Sequence, residues 1–151
     1  MSNSTDLLLT IDKFTFRVPQ GRLYSREDCW VLQQPGGTVR VGLTDFRQQA
    51  SGDVAFVETS PVGMIVAQDA EFAAIETMKV DLAIPCPISG TISSVNSALA
   101  ERPELLNQDP YGEGWLVEMT VSTPGQLQSL LSPTDYFAIM RTKAESERSK
   151  Q

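Results

Sequence analysis

One lysine, Lys79, has the type and position of a residue that could carry an attached chemical group. It lies in the segment ETMKV at residues 76–80, with apolar runs on both sides, and the neighbouring lysines in the chain are Lys13 and Lys143. At the tip of a β-hairpin, its four-carbon stem would project a primary amine into solvent, away from the sheet. A single lysine in a turn is usually an ordinary surface residue, so the wider sequence must decide between these interpretations.

Groups that would support catalysis by the chain itself are scarce. The sequence contains no histidine, which removes the commonest general base near neutral pH and the commonest zinc ligand. The two cysteines, Cys29 and Cys86, match no metal-binding spacing, and nothing marks the protein as secreted, so we expect two reduced, buried thiols. No serine or cysteine has a recognisable base partner. The sequence therefore predicts a non-catalytic protein without a metal site.

The charge and composition are those of an acidic globular domain. The chain has 151 residues, of which 41% are hydrophobic, and a formal net charge of −7, which suits a single core of ordinary size. An acidic surface disfavours nucleic acid, whose phosphates require a basic partner, and it disfavours an anionic membrane. The apolar run near the N-terminus is too short for a signal peptide or a membrane span. We therefore expect a cytoplasmic protein.

Many short segments separated by turns predict a mainly β fold that positions the lysine. CWVLQ and TVRVGLT are expected to form a hairpin around the turn QPGG at 34–37. A second hairpin would have Lys79 at its tip, with Glu71 and Asp81 in solvent. Its core-facing residues are expected to be Phe72, Ala74, Leu82 and Ile84. A later strand, WLVEMTVS, should present Trp115, Val117 and Met119 on one face.

Short helices and flexible ends complete the expected architecture. A helix is predicted over 44–51, with Thr44 and Asp45 able to cap its free N–H groups and Gly52 just beyond its end. SALAERPELLN should form a short helix broken at Pro103, and TPGQLQSLL and SPTDYFAIM should each begin with a capping hydroxyl followed by proline. Residues 1–6 and the charged tail KAESERSKQ are expected to be disordered or frayed. LLLTIDKFTFRV is expected to be one edge strand or arm lying on the body.

Four motifs along the chain change the interpretation of Lys79. They are ETMKV at 76–80, PISG at 87–90, NSAL at 96–99 and PYGEGW at 110–115. With the segment 38–63, these motifs resemble the H-protein of the glycine cleavage system, a family of lipoyl carriers whose modified lysine stands in Glu-Ser-Val-Lys-Ala. The resemblance extends from Leu23 to Tyr136. A biotin carrier would typically have Met-Lys-Met, whereas Val80 follows Lys79 here, so the lipoyl interpretation is favoured.

The resemblance implies both a fold and a modification site. The expected fold is mainly β, a barrel-sandwich hybrid of the lipoyl/biotinyl-domain type, with a few short helices and a C-terminal helix. The implied organisation is an N-terminal extension at 1–20, an H-protein-like lipoyl-carrier domain at 21–141 and a charged C-terminal tail at 142–151. Lipoic acid would be joined by an amide to Lys79. Glu76 would be recognised by the modifying enzyme, although it could instead be a solvated turn carboxylate.

The implied function is that of a carrier. The protein would shuttle an aminomethyl group and reducing equivalents on a lipoyl-lysine arm between glycine decarboxylase, aminomethyltransferase and dihydrolipoamide dehydrogenase. A lipoate ligase or lipoyl transferase would attach the group. One alternative is an H-protein-like carrier for another redox pathway, such as sulfur-compound oxidation. A second alternative is an interaction module that has kept the fold without the modification.

The chain departs from the family pattern at several positions. Asp28 and Cys29 stand before Trp30 where the family usually has His-Glu, and Phe46 occupies a position that often carries a histidine. The segment LLLTIDKFTFRVP lies upstream of the usual start of the family. The loop 109–115 is expected to cover the core, with Trp115 buried.

Overall fold

The computed structural model describes residues 6–149, and within them it places eleven β-strands, four α-helices and one 3-10 helix. The strands are β1 Leu7–Ile11, β2 Phe14–Val18, β3 Leu23–Tyr24, β4 Cys29–Gln34, β5 Thr38–Leu43, β6 Val54–Thr59, β7 Ile65–Val66, β8 Glu71–Thr77, β9 Asp81–Pro85, β10 Gly90–Val95 and β11 Val117–Val121. The helices are α1 Asp45–Ser51, α2 Ala98–Glu101, α3 Leu105–Gln108, the 3-10 helix Pro124–Ser129 and α4 Pro133–Ser149.

The strands form three antiparallel sheets. β1 and β2 pair as an isolated hairpin, a six-stranded sheet has the order β3-β4-β5-β11-β10-β7, and a three-stranded sheet has the order β6-β8-β9. The predicted hairpin of β4 and β5 is confirmed, with Gln34 opposite Thr38 and a turn that uses positive φ at Gly36 and Gly37. A mainly β fold with short helices and a C-terminal helix is therefore present, as the sequence predicted.

Two clusters of buried side chains hold these layers together. The larger cluster joins the six-stranded and three-stranded sheets and is mostly aliphatic, with Val41, Ile84 and Leu116 among its fully buried members. The smaller cluster is aromatic and joins the β1–β2 hairpin, α1 and α4 to the body through Trp30, Tyr136 and other rings. This second cluster positions the elements that surround Lys79.

The predicted helix over 44–51 is confirmed as α1. The Thr44 hydroxyl accepts a hydrogen bond from the Arg47 N–H at 3.3 Å, and Gly52 follows the helix with φ of 92°. The interruption at Pro103 is also confirmed, because α2 ends at Glu101 and α3 begins at Leu105. The TPGQLQSLL segment forms a 3-10 helix, and the capping hydroxyl of Ser132 begins α4.

Several local predictions are wrong. LLLTIDKFTFRV is a hairpin rather than one strand, because Asp12 adopts a positive φ of 56° and reverses the chain. The fraying predicted for the tail is wrong over 143–149, because α4 continues to Ser149 and packs Ala144 into the aromatic cluster. Trp115 lies outside β11 and is half-buried, with the Arg40 guanidinium 4.5 Å from its ring centre. The disorder predicted for residues 1–6 is wrong at Asp6, whose carboxylate pairs with Arg17 at 3.0 Å, and residues 1–5 lie outside the described residues.

In the part of the chain that the structure describes, no helix is both long enough and apolar enough to span a membrane.

Candidate functional site

Lys79 lies in the turn between β8 and β9, as the sequence predicted, and the Thr77 side chain holds that turn. The Thr77 hydroxyl accepts hydrogen bonds from the N–H groups of Lys79 at 3.1 Å and Val80 at 2.8 Å. It also donates to the Val80 carbonyl at 2.8 Å, and the Thr77 N–H donates to the same carbonyl at 2.9 Å. One side chain therefore fixes the backbone of the lysine while the lysine itself remains exposed.

A second set of contacts ties the turn to α1. The Met78 N–H donates to the Asp53 carbonyl at 2.9 Å, which joins the turn to the start of β6. Gly52 has φ of 92°, and a Cβ added there would lie 3.5 Å from the Lys79 Cβ. The stem of the lysine therefore runs along the backbone that follows α1.

The amine of Lys79 does not point straight into solvent, which corrects the predicted orientation. Lys79 Nζ donates to the Ala50 carbonyl at 3.3 Å in the last turn of α1. The carbonyl groups at a helix C-terminus carry partial negative charge and attract a cation. Within residues 6–149, the ammonium is thus folded back onto the body by its hydrogen bond to a neutral carbonyl group.

Exposed carboxylates and apolar side chains surround the turn. Glu76, the second predicted site residue, is exposed and lies opposite Asp81 on β9 and Phe56 on β6. Met78 is 79% exposed and Phe56 is 50% exposed. The turn therefore presents both acidic and apolar groups, and Glu76 lies on the strand that leads into Lys79.

The core-facing residues of this hairpin differ partly from the prediction. Phe72 and Ile84 are buried as expected, but Ala73 and Ile75 are buried in place of Ala74. The cause is a register shift between Glu71 and Ala73, which changes the alternation of faces along β8. A bulge of this kind leaves no simple signal in the polarity pattern. The predicted exposure of Glu71 and Asp81 is confirmed.

A cavity of about 180 Å³ lies beside Lys79. It is lined by Ile11, Asp12, Phe14, Phe16, Phe46, Gln49, Ala50, Lys79, Ala144 and Glu147. Six of these ten residues are apolar, and the rings of Phe16 and Phe46 meet edge to face at 5.6 Å. The cavity is therefore formed by the β1–β2 hairpin, α1 and α4 around the lysine, and its wall combines apolar with polar and charged side chains.

A buried polar network, which the sequence reasoning missed, anchors α4. The Asp28 carboxylate accepts from the Tyr136 hydroxyl at 2.7 Å and from Lys143 Nζ at 3.0 Å. Thr44 is hydrogen bonded to the Tyr136 hydroxyl at 2.8 Å, and Lys143 also donates to the Arg26 carbonyl. Burial, followed by the charge of Asp28, raises the pKa of Tyr136, so this phenol stays protonated. The sequence shows that Asp28 replaces a histidine usual in the family. It does not show that the partner of Asp28 is Lys143, which lies 115 residues away.

Both cysteines are free and buried, which confirms the expectation for them. Burial raises the pKa of Cys86 to about 11, and it also raises the pKa of Cys29. Neither thiol lines the cavity beside Lys79. Within residues 6–149, no cluster of three or more acidic or cysteine side chains is arranged to hold a metal ion.

Comparisons with known proteins agree with this architecture. The family described as "Glycine cleavage H-protein" matches residues 22–143. A glycine cleavage system H protein of Thermus thermophilus is 40% identical over 127 residues, covering 84% of this chain and 98% of that protein. One from Carboxydothermus hydrogenoformans is 36% identical over 128 residues, covering 85% of this chain and 98% of that protein.

A solved structure supports the same assignment. The crystal structure of a glycine cleavage system H protein from Mycobacterium marinum superposes with a TM-score of 0.72 at 32% sequence identity, covering 79% of this chain and 95% of that chain. The barrel-sandwich hybrid predicted from the sequence is thereby confirmed. The β1–β2 hairpin lies before the first residue matched by the family. From Arg22 to Lys143, this chain belongs to the glycine cleavage H-protein family.

Proposed function

We propose that this chain is a lipoyl carrier of the glycine cleavage system, with lipoic acid attached by an amide to Lys79. Members of the family carry lipoic acid covalently on a lysine. The observation that carries the proposal is the exposed position of Lys79 at the tip of β8 and β9, within the segment that resembles the family's modification motif. We also propose a carrier domain at 21–141, an extension at 1–20 and a tail at 142–151, although α4 crosses the last boundary.

The residues around Lys79 fit such a group. The lysine is exposed, so a modifying enzyme can reach its amine. To be modified, the amine must leave the Ala50 carbonyl, which is its neutral partner at 3.3 Å in the described part of the chain. Gly52 has no side chain beside the lysine stem, and six of the ten residues that line the adjacent cavity are apolar. Nothing in this arrangement opposes an amide with a long apolar acid.

The chain's own residues then act as a platform. When bound, the lipoyl group supplies a disulfide that accepts an aminomethyl group together with electrons. Thr77 and the Asp53 carbonyl fix the backbone on either side of the attachment point, so a partner enzyme meets a turn of constant shape. Rigid backbone beneath a flexible side chain lets one attachment point serve several enzymes.

Glu76 is proposed to contact the modifying enzyme, a lipoate ligase or lipoyl transferase. It is exposed, three residues before Lys79, and Asp81 lies directly opposite on β9. Two carboxylates side by side on one sheet face attract a basic surface and set the direction of approach. This arrangement supports a recognition role, whereas a solvated turn carboxylate would contribute nothing to the rate of modification.

The partner enzymes are proposed from the family. They are glycine decarboxylase, aminomethyltransferase and dihydrolipoamide dehydrogenase, each of which must reach the exposed end of the β8–β9 hairpin. The formal net charge of −7 favours partners with basic docking surfaces. The chain would act as a non-catalytic carrier subunit.

Intact mass tests the attachment site. The protein is incubated with lipoate, ATP and a lipoate ligase, and we expect the mass of one lipoyl group to be gained. Lys79→Arg, which keeps the positive charge, should gain no mass, whereas Lys143→Arg should be modified like the wild type. An unmodified wild-type protein, or equal modification of Lys79→Arg, contradicts the proposal.

A second experiment tests the pathway. The lipoylated protein is supplied to glycine decarboxylase with labelled bicarbonate, and exchange of the label into the carboxyl group of glycine is measured against unmodified protein. Exchange above this control supports glycine cleavage. If the lipoylated protein gives no exchange, it serves a different redox pathway, as the alternative interpretation of the sequence states.

A further inference from the structure

Asn107, in the short helix α3, bonds to both ends of the backbone segment that supports the lysine turn. Its side-chain carbonyl accepts from the Val54 N–H at 2.8 Å, and its side-chain amide donates to the Gly52 carbonyl at 3.0 Å. These two backbone groups flank Asp53, whose carbonyl accepts the Met78 N–H. One side chain from α3 therefore fixes the segment on which the turn rests.

A third hydrogen bond of Asn107 reaches α1. The side-chain amide donates to the side-chain carbonyl of Gln48 at 3.0 Å, and Gln48 is buried. The Gln48 amide in turn donates to the Asp45 carboxylate at 2.8 Å, so the Gln48 side chain cannot reverse without losing that bond. Both donor positions and the acceptor of the Asn107 amide are thus in use. Aspartate at this position would offer the acceptor but neither donor.

The lysine turn depends on the supporting segment in two ways. The Met78 N–H bonds to the Asp53 carbonyl at 2.9 Å, and Val54 lies opposite Thr77, the residue whose hydroxyl holds the turn. The hydrogen bonds of Thr77 fix the internal shape of the turn, whereas the bond to Asp53 fixes its position on the body. A shift of the segment would therefore move the lysine even if the turn kept its shape.

We propose that Asn107 is a positioning residue for the modification of Lys79, and that it acts through the backbone of residues 52–54. This inference rests on the proposed function, because it requires an enzyme that modifies Lys79. Loss of the Asn107 hydrogen bonds would let the turn occupy several positions on the body. An enzyme that binds one of these positions would then find a smaller competent fraction of the protein.

Asn96 provides a matched control in another part of the fold. Like Asn107, it is half-buried, and in the described residues its side chain makes three hydrogen bonds. Two are donated to the carbonyls of Glu113 and Trp115, and one is accepted from the Ala98 N–H. Replacing either asparagine by aspartate removes two donors and adds the same charge. The two variants therefore differ in the backbone segment that they release.

The test measures lipoylation of the full-length protein by a lipoate ligase with lipoate and ATP. Wild type, Asn107→Asp and Asn96→Asp are compared, and Asn107→Ala and Asn96→Ala form an uncharged second pair. Circular dichroism first establishes that each protein is folded. KM and kcat for the carrier protein are then obtained by intact mass over a range of protein concentrations. Amide hydrogen exchange at Met78 and Val54 is followed by NMR.

We expect both Asn107 variants to raise KM for the carrier protein about fivefold with little change in kcat, since fewer molecules present the turn in the competent position. Exchange at the Met78 amide should become at least about tenfold faster, because the segment that accepts its hydrogen bond opens more often. The two Asn96 variants should keep both KM and the Met78 exchange rate within about twofold of the wild type.

Other results overturn the inference in distinguishable ways. An unchanged KM in the Asn107 variants, or equal increases in the Asn107 and Asn96 variants, rule out positioning by Asn107 but leave the carrier function intact. A raised KM without faster exchange at Met78 would show that the ligase contacts Asn107 itself, which also excludes a positioning role. Absence of the lipoyl mass from the wild-type protein removes the carrier function as well.

Discussion

Lys79 and Lys143 both hydrogen bond to a backbone carbonyl, but their surroundings give them opposite roles. Lys143 also contacts the Asp28 carboxylate at 3.0 Å, and Asp28 is only 2% exposed. In the described part of the chain, the hydrogen-bond partner of the Lys79 amine is the Ala50 carbonyl at 3.3 Å. Removing the charge of Lys143 would leave a buried carboxylate without its counter-charge, whereas removing the charge of Lys79 would release a neutral group at the surface.

The difference shows what a modification site requires of the fold. A lysine that is to become an amide loses its charge, so its charge must not balance a buried partner. At the same time its backbone must be fixed, and in this molecule Thr77 supplies that constraint through three hydrogen bonds. Lys143 has the opposite arrangement, because its side chain is the constrained part and is held by the Asp28 carboxylate.

The largest effect on stability is expected at Asp28, the buried carboxylate that Lys143 contacts. Asp28→Asn keeps the shape of the side chain, and asparagine tolerates the positive φ of 72° at this position. It removes the charge that Lys143 and Tyr136 contact, so we expect the free energy of unfolding to fall by about 2 kcal/mol. Urea denaturation followed by circular dichroism measures the change.

The matched variant at the exposed lysine is Lys79→Ala. We expect it to change the free energy of unfolding by less than about 0.5 kcal/mol, as is usual for surface substitutions. If Lys79→Ala destabilised the protein as strongly as Asp28→Asn, the proposed contrast between a structural lysine and a modifiable lysine would be wrong.

The next effect concerns recognition rather than stability. Glu76→Gln should lower the second-order rate constant for lipoylation by about tenfold, because the carboxylate would no longer attract a basic surface of the ligase. Asp81→Asn removes the same charge from this face but leaves the proposed ligase contact of Glu76, so it is the control and should lower the rate constant less than about twofold. Equal losses in the two variants would show that only total charge matters at this face.

The secondary structure around Lys79 could be predicted largely from the sequence. Thr44 before α1, Gly52 after it, and the glycines at 36 and 37 are local signals, and each produced the expected cap or turn. The hairpin that presents Lys79 followed from apolar runs on both sides of a polar turn. These features depend on neighbouring residues, which is why the sequence revealed them.

The cavity and the buried network could not be predicted in the same way. The contact of Tyr136 with Asp28 joins residues 108 positions apart, and the meeting of Phe16 with Phe46 depends on a hairpin that resembled a single strand. α4 continues beyond Met140, where Lys143 reaches Asp28 and Ala144 packs into the aromatic cluster, tertiary contacts that offset the polar composition of the tail. Long-range partners decide these features, and a single sequence does not identify them.

A smaller effect should appear in the pH dependence of the free energy of unfolding, and it comes from the buried thiol of Cys86. Burial raises the pKa of Cys86 from 9.0 to about 11, so the folded protein retains this proton where the unfolded chain loses it. Stability should therefore fall by on the order of 1 kcal/mol as the pH rises through this interval. Urea denaturation of the wild type and Cys86→Ala across the interval measures the contribution. A Cys86→Ala protein with the same pH slope as the wild type would contradict it.

The smallest effect is expected at the turn that holds Lys79. Thr77→Val keeps the β-branched shape that suits a strand but removes the hydroxyl that bonds to Lys79 and Val80. Water can replace these exposed hydrogen bonds, so the free energy of unfolding should fall by only about 0.5 kcal/mol. Hydrogen exchange at the amides of Lys79 and Val80 should nevertheless become faster, and lipoylation should slow, because the lysine would no longer be presented on a turn of fixed shape. Thr59→Val, in the edge strand β6, is the control, since that threonine lies outside the turn. Unchanged exchange and lipoylation in Thr77→Val would show that the ligase needs an exposed lysine but not a rigid turn.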